Sequence, residues 1–190
     1  MEIRDAMPAD AAAVAAVARE SWHAAYDDLL GADTVAGTVD DWYDVDALRE
    51  EIRETATAAE VCFLVADSDG AQPAEGRVVG FASAGPARDR ERAPDDADAF
   101  LSRLYVAPDH WGAGIGTELV GTVARRLRAA GHERVWLELF DANDRGRRFY
   151  ESLGFERVEC VTESFDGTDV RTLHLSTAVS ALVDAPSRHE

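Results

Sequence analysis

The stretch LYVAPDHWGAGIGTELV, residues 104–120, decides the fold, because a β-rich run leads there through a glycine cluster into an amphipathic helix. The run ends at Pro108, and Gly112, Gly114 and Gly116 precede apolar residues at helical spacing. Glycine lets a phosphate group approach the backbone closely, and N–H groups at a helix N-terminus bind anions. The stretch predicts a phosphate-binding loop, with a ligand-free strand-to-helix turn as the alternative.

Two common nucleotide-binding loops do not fit these residues. A Walker A loop needs a lysine at the terminal phosphates, and the chain contains no lysine. A dinucleotide-binding fingerprint needs a third glycine where this loop has Thr117, and it belongs to the first strand of its unit. Nucleotide hydrolysis through a Walker A loop is therefore excluded, and a nicotinamide enzyme is disfavoured.

A second segment, NDRGRRFYESLGFERV at residues 143–158, follows the loop in the chain. The two segments resemble the signatures of the GNAT superfamily of N-acetyltransferases. Residues 111–116 are similar to Gln/Arg-x-x-Gly-x-Gly/Ala, with Trp111 in the place of Gln or Arg. Residues 143–155 are similar to Asn-x-x-Ala-x-x-Phe-Tyr-x-x-x-Gly-Phe, with Gly146 in the place of Ala. The resemblance covers most of residues 2–176.

In that superfamily the loop binds the pyrophosphate of acetyl-CoA, and the preceding strand splays from its neighbour to admit the pantetheine arm. The resemblance implies a cofactor-binding set from the strand end, the loop and the second motif: Leu104, Tyr105, Val106, Trp111, Gly112, Ala113, Gly114, Ile115, Gly116, Thr117, Asn143 and Arg148. Arg147, beside Arg148, is a second candidate for the ribose 3′-phosphate. The resemblance implies no metal.

Direct transfer of the acetyl group to a primary amine is the implied reaction. A backbone N–H of the 104–106 strand, taken as that of Val106, would hold the oxyanion, and Tyr150 would protonate the leaving sulfur as a general acid. Neighbouring residues on a helix differ by about 100° in direction, so Tyr150 is expected to face the cleft while Phe149 packs in the core. A packed tyrosine with a satisfied hydroxyl is the alternative.

The sequence does not identify the general base. Phe100 stands where many relatives have a glutamate, which leaves Asp98, Glu138, Glu20, His23 or a chain of waters. Each of these side chains is more simply a surface acid or a structural histidine. The missing glutamate also keeps a second hypothesis open, an acetyl-CoA-binding sensor or regulatory domain without catalysis.

The acceptor is expected to be a small-molecule or peptide amine. Its binding walls are expected from the first helices and from one hairpin, which together supply Trp22, His23, Tyr26, Trp42 and the 163–169 loop. These are the least patterned parts of the chain, so they indicate no particular amine.

The order of apolar runs predicts an α/β (α+β) fold with a mixed, mostly antiparallel sheet of about six to seven strands flanked by about four helices. Val61–Ala66 and Arg77–Ser83 are expected to form an antiparallel hairpin, and one helix is expected over about 40–57. The N-acetyltransferase domain is placed at residues 1–176. Residues 177–190 are assigned to a C-terminal tail, and the apolar stretch STAVSALV is a candidate contact for a homodimer.

The 190 residues carry 37 acidic and 19 basic side chains, all of the latter arginine, for a formal net charge of −18. Such a charge repels phosphate backbones, which disfavours nucleic-acid binding, and it is typical of adaptation to high salt. No apolar run reaches the ~20 residues that cross a bilayer, and a cytoplasmic, membrane-free protein is expected. Cys62 and Cys160 stand in strand-like runs and are expected to be reduced packing residues.

Overall fold

The computed structural model of the protein describes residues 1–58, 60–68, 78–87 and 93–183. These residues form seven strands and six α-helices, which are, in chain order, β1 (Glu2–Asp5), α1 (Ala11–Leu30), α2 (Ala32–Trp42), α3 (Val45–Thr55), β2 (Cys62–Asp67), β3 (Val78–Pro86), β4 (Ala99–Val106), α4 (Ile115–Ala129), β5 (Arg134–Phe140), α5 (Asp144–Ser152), β6 (Glu156–Phe165), β7 (Thr168–Ala178) and α6 (Val179–Val183). Short 3-10 turns at Pro8–Asp10 and Pro108–His110 precede α1 and the glycine loop.

The seven strands form one sheet in the order β1-β2-β3-β4-β5-β7-β6. Neighbouring strands are antiparallel except β4 and β5, which run parallel. The parallel contact follows from the crossover through α4, because parallel neighbours need a long connection that packs on the sheet. The mixed, mostly antiparallel sheet predicted from the sequence is confirmed.

Two apolar layers cover the two faces of the sheet. On one face, α4 and α6 bury residues such as Leu119, Val123 and Leu182 against the central strands. On the other face, α1, α2 and α3 bury Trp22 and Leu48, among others, against β2, β3 and β4. The alternation of side chains along each strand supplies both layers from the same strands. The sheet therefore separates a face carrying the glycine-loop helix from a face carrying the N-terminal helices.

The N-terminal helices differ from the prediction. In place of one helix over about 40–57, α2 ends at Trp42 and α3 begins at Val45. Asp44 caps α3, since its carboxylate accepts hydrogen bonds from the N–H groups of Asp46 and Ala47 at 3.1 and 2.9 Å. The sequence pattern misses α2, whose stability comes from tertiary burial of residues such as Val35 and Val39. Six helices, rather than about four, flank the sheet in the described ranges.

Both hairpins predicted from turn residues have the expected strand pairing. β2 and β3 are antiparallel neighbours, although Arg77 and most of their connection, residues 69–77, lie outside the described residues. β6 and β7 are joined at Asp166 and Gly167, whose φ values of +46° and +79° belong to a two-residue turn that matches the twist of the strands. Gly154 follows the end of α5 with φ +87°, the left-handed conformation that is common just after a helix C-terminus.

The C-terminal segment continues the fold beyond the expected boundary at residue 176. β7 runs to Ala178, and α6 buries Val179 and Leu182 in the core beside α4. The segment assigned to a tail therefore begins within a strand, and residues 184–190 lie outside the described part of the chain. Residues 88–92, between β3 and β4, also lie outside the described part of the chain.

The two cysteines are free in the structure. Cys62 is buried, and burial raises the pKa of its thiol to about 11, so the thiol is protonated and unreactive. Cys160 is half-buried, and its sulfur lies 3.4 Å from the guanidinium of Arg171. Within the described residues, no helix has the length and apolar character needed to span a membrane.

Candidate active site

A cavity with a volume of about 1330 Å³ opens between β4 and β5. These strands pair only where Ala99 and Phe100 meet Val135 and Trp136, and the later residues of β4 do not pair with β5. Strands that leave their ladder expose N–H and C=O groups that need partners. The gap therefore presents backbone hydrogen-bonding groups to whatever occupies the cavity.

At the end of β4, the backbone N–H and C=O groups of every second residue point toward this gap. Ala107 N–H donates to the carbonyl oxygen of Val79 at 2.9 Å, so this pair is bonded within the antiparallel ladder of β4 and β3. Because bonded pairs alternate along such a ladder, the N–H groups of Leu104 and Val106 point away from β3. They are directed into the cavity, and both residues line it.

Most of the site residues that the sequence indicates meet at this cavity. Its wall contains Leu104, Tyr105, Val106, Trp111, Gly112, Ala113, Gly114, Ile115, Gly116, Thr117, Asn143 and Tyr150. Arg148 is the exception, since it lies on the exposed face of α5 and not in the wall. The gap between the strands, the glycine loop and α5 thus form one continuous site.

Two residues with positive φ make the turn of the glycine loop. Gly112 has φ +82° and Gly114 has φ +80°, a conformation that favours glycine. Gly114 is the N-cap of α4, and no side chain caps this end of the helix. The N–H groups of Ile115, Gly116 and Thr117 therefore lie at the cavity without carbonyl partners from a preceding turn. With the helix dipole, they form a site for an anion such as a phosphate group.

Gly116 is needed for a different reason, the close approach of α5. A Cβ atom at this position would lie 3.2 Å from Cζ of Phe149, tighter than ordinary van der Waals contact. Phe149 thus packs on the first turn of α4 instead of lying wholly in the core, and it also lines the cavity. The contact holds the second motif against the glycine loop.

Trp111 fastens the loop to the end of β4. Its indole N–H donates to the carbonyl oxygen of Val106 at 2.7 Å, and Ser21 Oγ donates to the same oxygen at 3.1 Å. The guanidinium of Arg145 lies 4.4 Å from the centre of the Trp111 ring, which is a cation–π contact. The aromatic residue in the place of Gln or Arg therefore positions an arginine from α5 at the loop.

The arginines of the second motif are arranged differently from the sequence expectation. Arg147 pairs with Asp144, and Arg148 donates from Nε to the carbonyl oxygen of Asp144 at 3.2 Å. Neither lines the cavity, whereas Arg145 and Arg125 do. The sequence carried one signal of this arrangement, the departure at Trp111, but a stack between two separate elements cannot be read from spacing.

Asn143 both caps α5 and joins it to α1. Its Oδ1 accepts a hydrogen bond from Gly146 N–H at 2.8 Å, and its Nδ2 donates to the hydroxyl of Tyr26 at 3.0 Å. Burial raises the pKa of Tyr26, and the hydrogen bond from Asn143 opposes that rise without cancelling it. Asn143 is therefore an N-cap at the cavity wall, with part of its amide engaged by the protein itself.

Tyr150 is buried, and its hydroxyl makes no hydrogen bond to any described residue. Burial raises the pKa of this hydroxyl well above its usual range, and the neighbouring Tyr26 adds to the rise. The group therefore stays protonated throughout the neutral range and can act only as a proton donor there. The expectation that Tyr150 faces the cleft agrees with its place in the cavity wall.

Of the candidate bases, the structure brings only Glu138 to the cavity wall. Asp98 accepts hydrogen bonds from the N–H groups of Glu133 and Arg134 at 2.9 and 3.1 Å, and so holds the start of β5. His23 pairs with Asp27 at 2.8 Å along α1, and Glu20 is exposed on the same helix. Glu138 projects from β5 on the face that carries α1, α2 and α3.

The expected acceptor walls are largely corrected by the structure. Of the four aromatic and imidazole side chains proposed, only Tyr26 lines the cavity. Trp22 and Trp42 instead pack together with Phe165, at ring-centre distances of 5.5 to 6.4 Å, and hold α1 and α2 against the β6–β7 hairpin. Beside Tyr26, this side of the cavity wall contains Ser21, Ala24, Ala25, Arg103, Tyr105 and Glu138. No described group of three or more His, Cys, Asp or Glu side chains is arranged to bind a metal ion.

Comparisons with known proteins agree with this geometry. A model of the acetyltransferase (GNAT) family matches residues 19–155. An uncharacterized N-acetyltransferase of Mycobacterium bovis is 35% identical over 82 residues, which are 43% of this chain and 48% of that protein. A mycothiol acetyltransferase of Saccharomonospora viridis is 36% identical over 133 residues, 66% of this chain and 40% of that protein. The chain thus spans about half the length, or less, of these curated relatives.

Solved structures of other proteins have the same fold. The crystal structure of the PaiA N-acetyltransferase of Thermoplasma acidophilum, in complex with coenzyme A, superposes with a TM-score of 0.73 at 24% identity, covering 93% of this chain and 98% of that chain. The sheet order, the split between β4 and β5 and the glycine loop place the protein in the class of α/β folds that N-acetyltransferases adopt. With the family model covering most of its length, the chain belongs to the acetyltransferase (GNAT) family.

Proposed function

We propose that the protein transfers the acetyl group of acetyl-CoA to a primary amine by direct attack. The observation that carries this function is the split between β4 and β5, which ends at an uncapped helix N-terminus behind a glycine loop. The split offers a channel with free backbone groups for an amide-containing arm, and the helix N-terminus offers a site for its pyrophosphate.

The cofactor is expected to lie along the cavity, from the glycine loop to Tyr150 and Glu138. The N–H groups of Ile115, Gly116 and Thr117 would bind the pyrophosphate. Arg145 and Arg125 add positive charge at the same wall, in a protein whose net charge is −18. Arg145 replaces Arg148 in this proposal, because its stack on Trp111 directs it to the cavity.

Three groups of the chain would act on the reacting atoms. The neutral amine nitrogen attacks the thioester carbonyl carbon, and Glu138 takes the proton that this nitrogen loses as it becomes an amide. Val106 N–H donates to the carbonyl oxygen as it gains negative charge. Tyr150, whose hydroxyl is protonated at neutral pH, gives that proton to the sulfur as the carbon–sulfur bond breaks. The products are an acetamide and coenzyme A with a free thiol.

Ligand-induced stabilisation tests the cofactor directly. A ligand at about 100 times its Kd adds about 2.7 kcal/mol to the free energy of unfolding, enough to raise Tm by a few degrees. Acetyl-CoA should raise Tm, while NADH and ATP should leave it unchanged, measured separately in molar KCl. A rise with NADH or ATP alone, or with none of the three, would contradict the proposal.

Substitution of the acid and the base separates catalysis from binding. Tyr150→Phe and Glu138→Gln should each lower kcat by roughly 10²-fold, because each removes a proton-transfer group. The KM for acetyl-CoA should change little, since neither side chain lies at the helix N-terminus. Release of the coenzyme A thiol, followed with a panel of amines, measures both constants.

Glu20→Gln is the matched control, because Glu20 is an exposed acid outside the cavity wall, and it should leave kcat unchanged. Full activity in Tyr150→Phe would remove that residue from the mechanism. Binding of acetyl-CoA with no transfer to any amine would favour the sensor hypothesis instead.

A further inference from the structure

His174 is a buried histidine that the proposed reaction leaves without a role. It lies on β7 and is 1% exposed, among the most deeply buried large side chains of the protein. Its register partner on β5 is Glu138, and its register partner on β6 is Glu159. Three adjacent strands thus place an imidazole between two carboxylates on one face of the sheet.

Each nitrogen of the ring faces one of these carboxylates. Nε2 lies 3.5 Å from Oε1 of Glu138, and Nδ1 lies 3.7 Å from Oε2 of Glu159. Nε2 has no hydrogen-bond partner among the described residues, although it is fully buried. A buried polar atom without a partner is destabilising and uncommon in native proteins, so its position calls for an explanation.

The line of three side chains leads from the cavity to the outer edge of the sheet. The Glu138 side chain is 35% exposed at the cavity, whereas the Glu159 side chain is 60% exposed on the edge strand β6. The ring of Trp136 packs edge-on against His174 at 5.4 Å between centres, which limits how the imidazole can rotate. The imidazole is therefore held with Nε2 toward the residue that the proposed reaction uses as a base.

We propose that His174 is a positioning residue that holds the Glu138 carboxylate at the cavity wall. Nε2–H would donate to Oε1 of Glu138 once a small movement of the carboxylate shortens their 3.5 Å separation, and Glu159 would orient the ring by accepting from Nδ1 when that nitrogen carries a proton. This inference rests on the proposed function, because it assigns Glu138 to the amine. Small displacements of a reacting group cost large factors in rate, which gives such a residue its effect.

The first test compares substitutions at His174 with a matched control. His174→Leu should lower kcat by up to about 10²-fold, the cost of misplacing a catalytic group, and leave the KM for acetyl-CoA unchanged. His174→Gln, which keeps a donor near the position of Nε2, should restore much of that loss. His132→Leu is the control, since His132 is a half-buried histidine whose Nε2 atom is also buried without a partner, whose Nδ1 lies 3.7 Å from Oδ1 of Asp98, and which is outside the cavity wall. It should lower Tm as His174→Leu does but leave kcat unchanged.

A double-mutant cycle with Glu138→Gln decides whether His174 acts through Glu138. If it does, His174→Leu causes no further loss of kcat once Glu138 is replaced, because the group it positions is already gone. Independent, multiplicative losses, or an equal loss of kcat in His132→Leu, would overturn the inference. Full activity in Glu138→Gln would overturn it as well, while leaving acetyl transfer itself intact.

The contact between His174 and Glu138 can also be tested without a substrate, which is needed if no amine is acetylated. Nitrogen NMR of the histidine side chains should show the Nε2 resonance of His174 moving when Glu138 is replaced by Gln. The resonances of His132 should stay in place in the same variant. An unchanged His174 resonance would show that the two side chains do not interact, whatever the protein's activity.

Discussion

Single residues determine the conformation of the glycine loop. Gly114 has φ +80°, where a side chain is strained, whereas Gly37 lies within α2 with open space around it and an ordinary helical backbone. Gly114→Ala should lower the free energy of unfolding by about 1–2 kcal/mol, the cost of a left-handed residue with a Cβ. Gly37→Ala should raise it by about 0.5–1 kcal/mol, because alanine loses less conformational freedom in a helix. Denaturant unfolding at constant m-value measures both, and a loss in both variants would contradict the argument.

At the scale of elements, one partly buried ion network joins β1 to β2 and to the turn before α1. Arg4 on β1 donates to both carboxylate oxygens of Asp10, at 2.7 and 2.9 Å, and from Nε to Asp67 on β2 at 2.7 Å. Met7 N–H also donates to Asp10 at 2.7 Å. Burial alone would raise the pKa of Asp10, but these hydrogen bonds outweigh it and hold the pKa below its usual value of 3.8.

The lowered pKa of Asp10 sets the direction of a pH effect. A carboxyl whose pKa is lower in the folded state stabilises the fold above its unfolded-state pKa of about 3.9 and loses that effect as pH falls through the folded value. Asp10→Asn should therefore lower the free energy of unfolding by about 2 kcal/mol at neutral pH, and by progressively less below about pH 4. Asp40→Asn, which breaks an exposed pair with Arg19, should cost no more than about 0.5 kcal/mol at any pH. Urea unfolding at several pH values measures both differences, and equal losses in the two variants would refute the role of Asp10.

The molecule as a whole carries its charge unevenly. Residues 1–98 contain 23 acidic and 8 basic side chains, and residues 99–190, which carry the glycine loop, contain 14 and 11. Repulsion among the acidic groups opposes the compact state, and salt shortens its range from about 10 Å at 0.1 M to about 3 Å at 1 M. The half that would bind an anionic cofactor is therefore the less negative half.

Salt should accordingly stabilise the whole fold. Tm, measured by thermal unfolding, is expected to rise steadily from low salt to molar KCl, and NaCl should act similarly because screening depends on ionic strength. A Tm that is flat or falls with added salt would contradict adaptation to high salt. The rise of Tm with acetyl-CoA should therefore be measured at high salt, where the protein is expected to be most stable.

The strand-to-helix turn at the glycine loop and the mixed sheet could be predicted because they depend on local pattern. The glycine spacing between a strand and a helix, the N-cap at Asn143 and the Asp166-Gly167 turn each reflect conformational preferences of neighbouring residues. The helix α2 could not be predicted, because its sequence has weak helical preference and its burial decides its conformation.

What the sequence by itself determined is the order of the strands, most of the helices and the glycine-rich turn before α4, since steric rules and side-chain periodicity act within a few residues. Only the tertiary structure decided that Glu138 reaches the cavity, that Arg145 lies at the glycine loop and that His174 lies beside Glu138. Those choices rest on contacts between separate elements, such as Arg145 on Trp111 and His174 beside Glu138. Strand register and helix packing bring such groups together, and neither is encoded in the spacing of nearby residues.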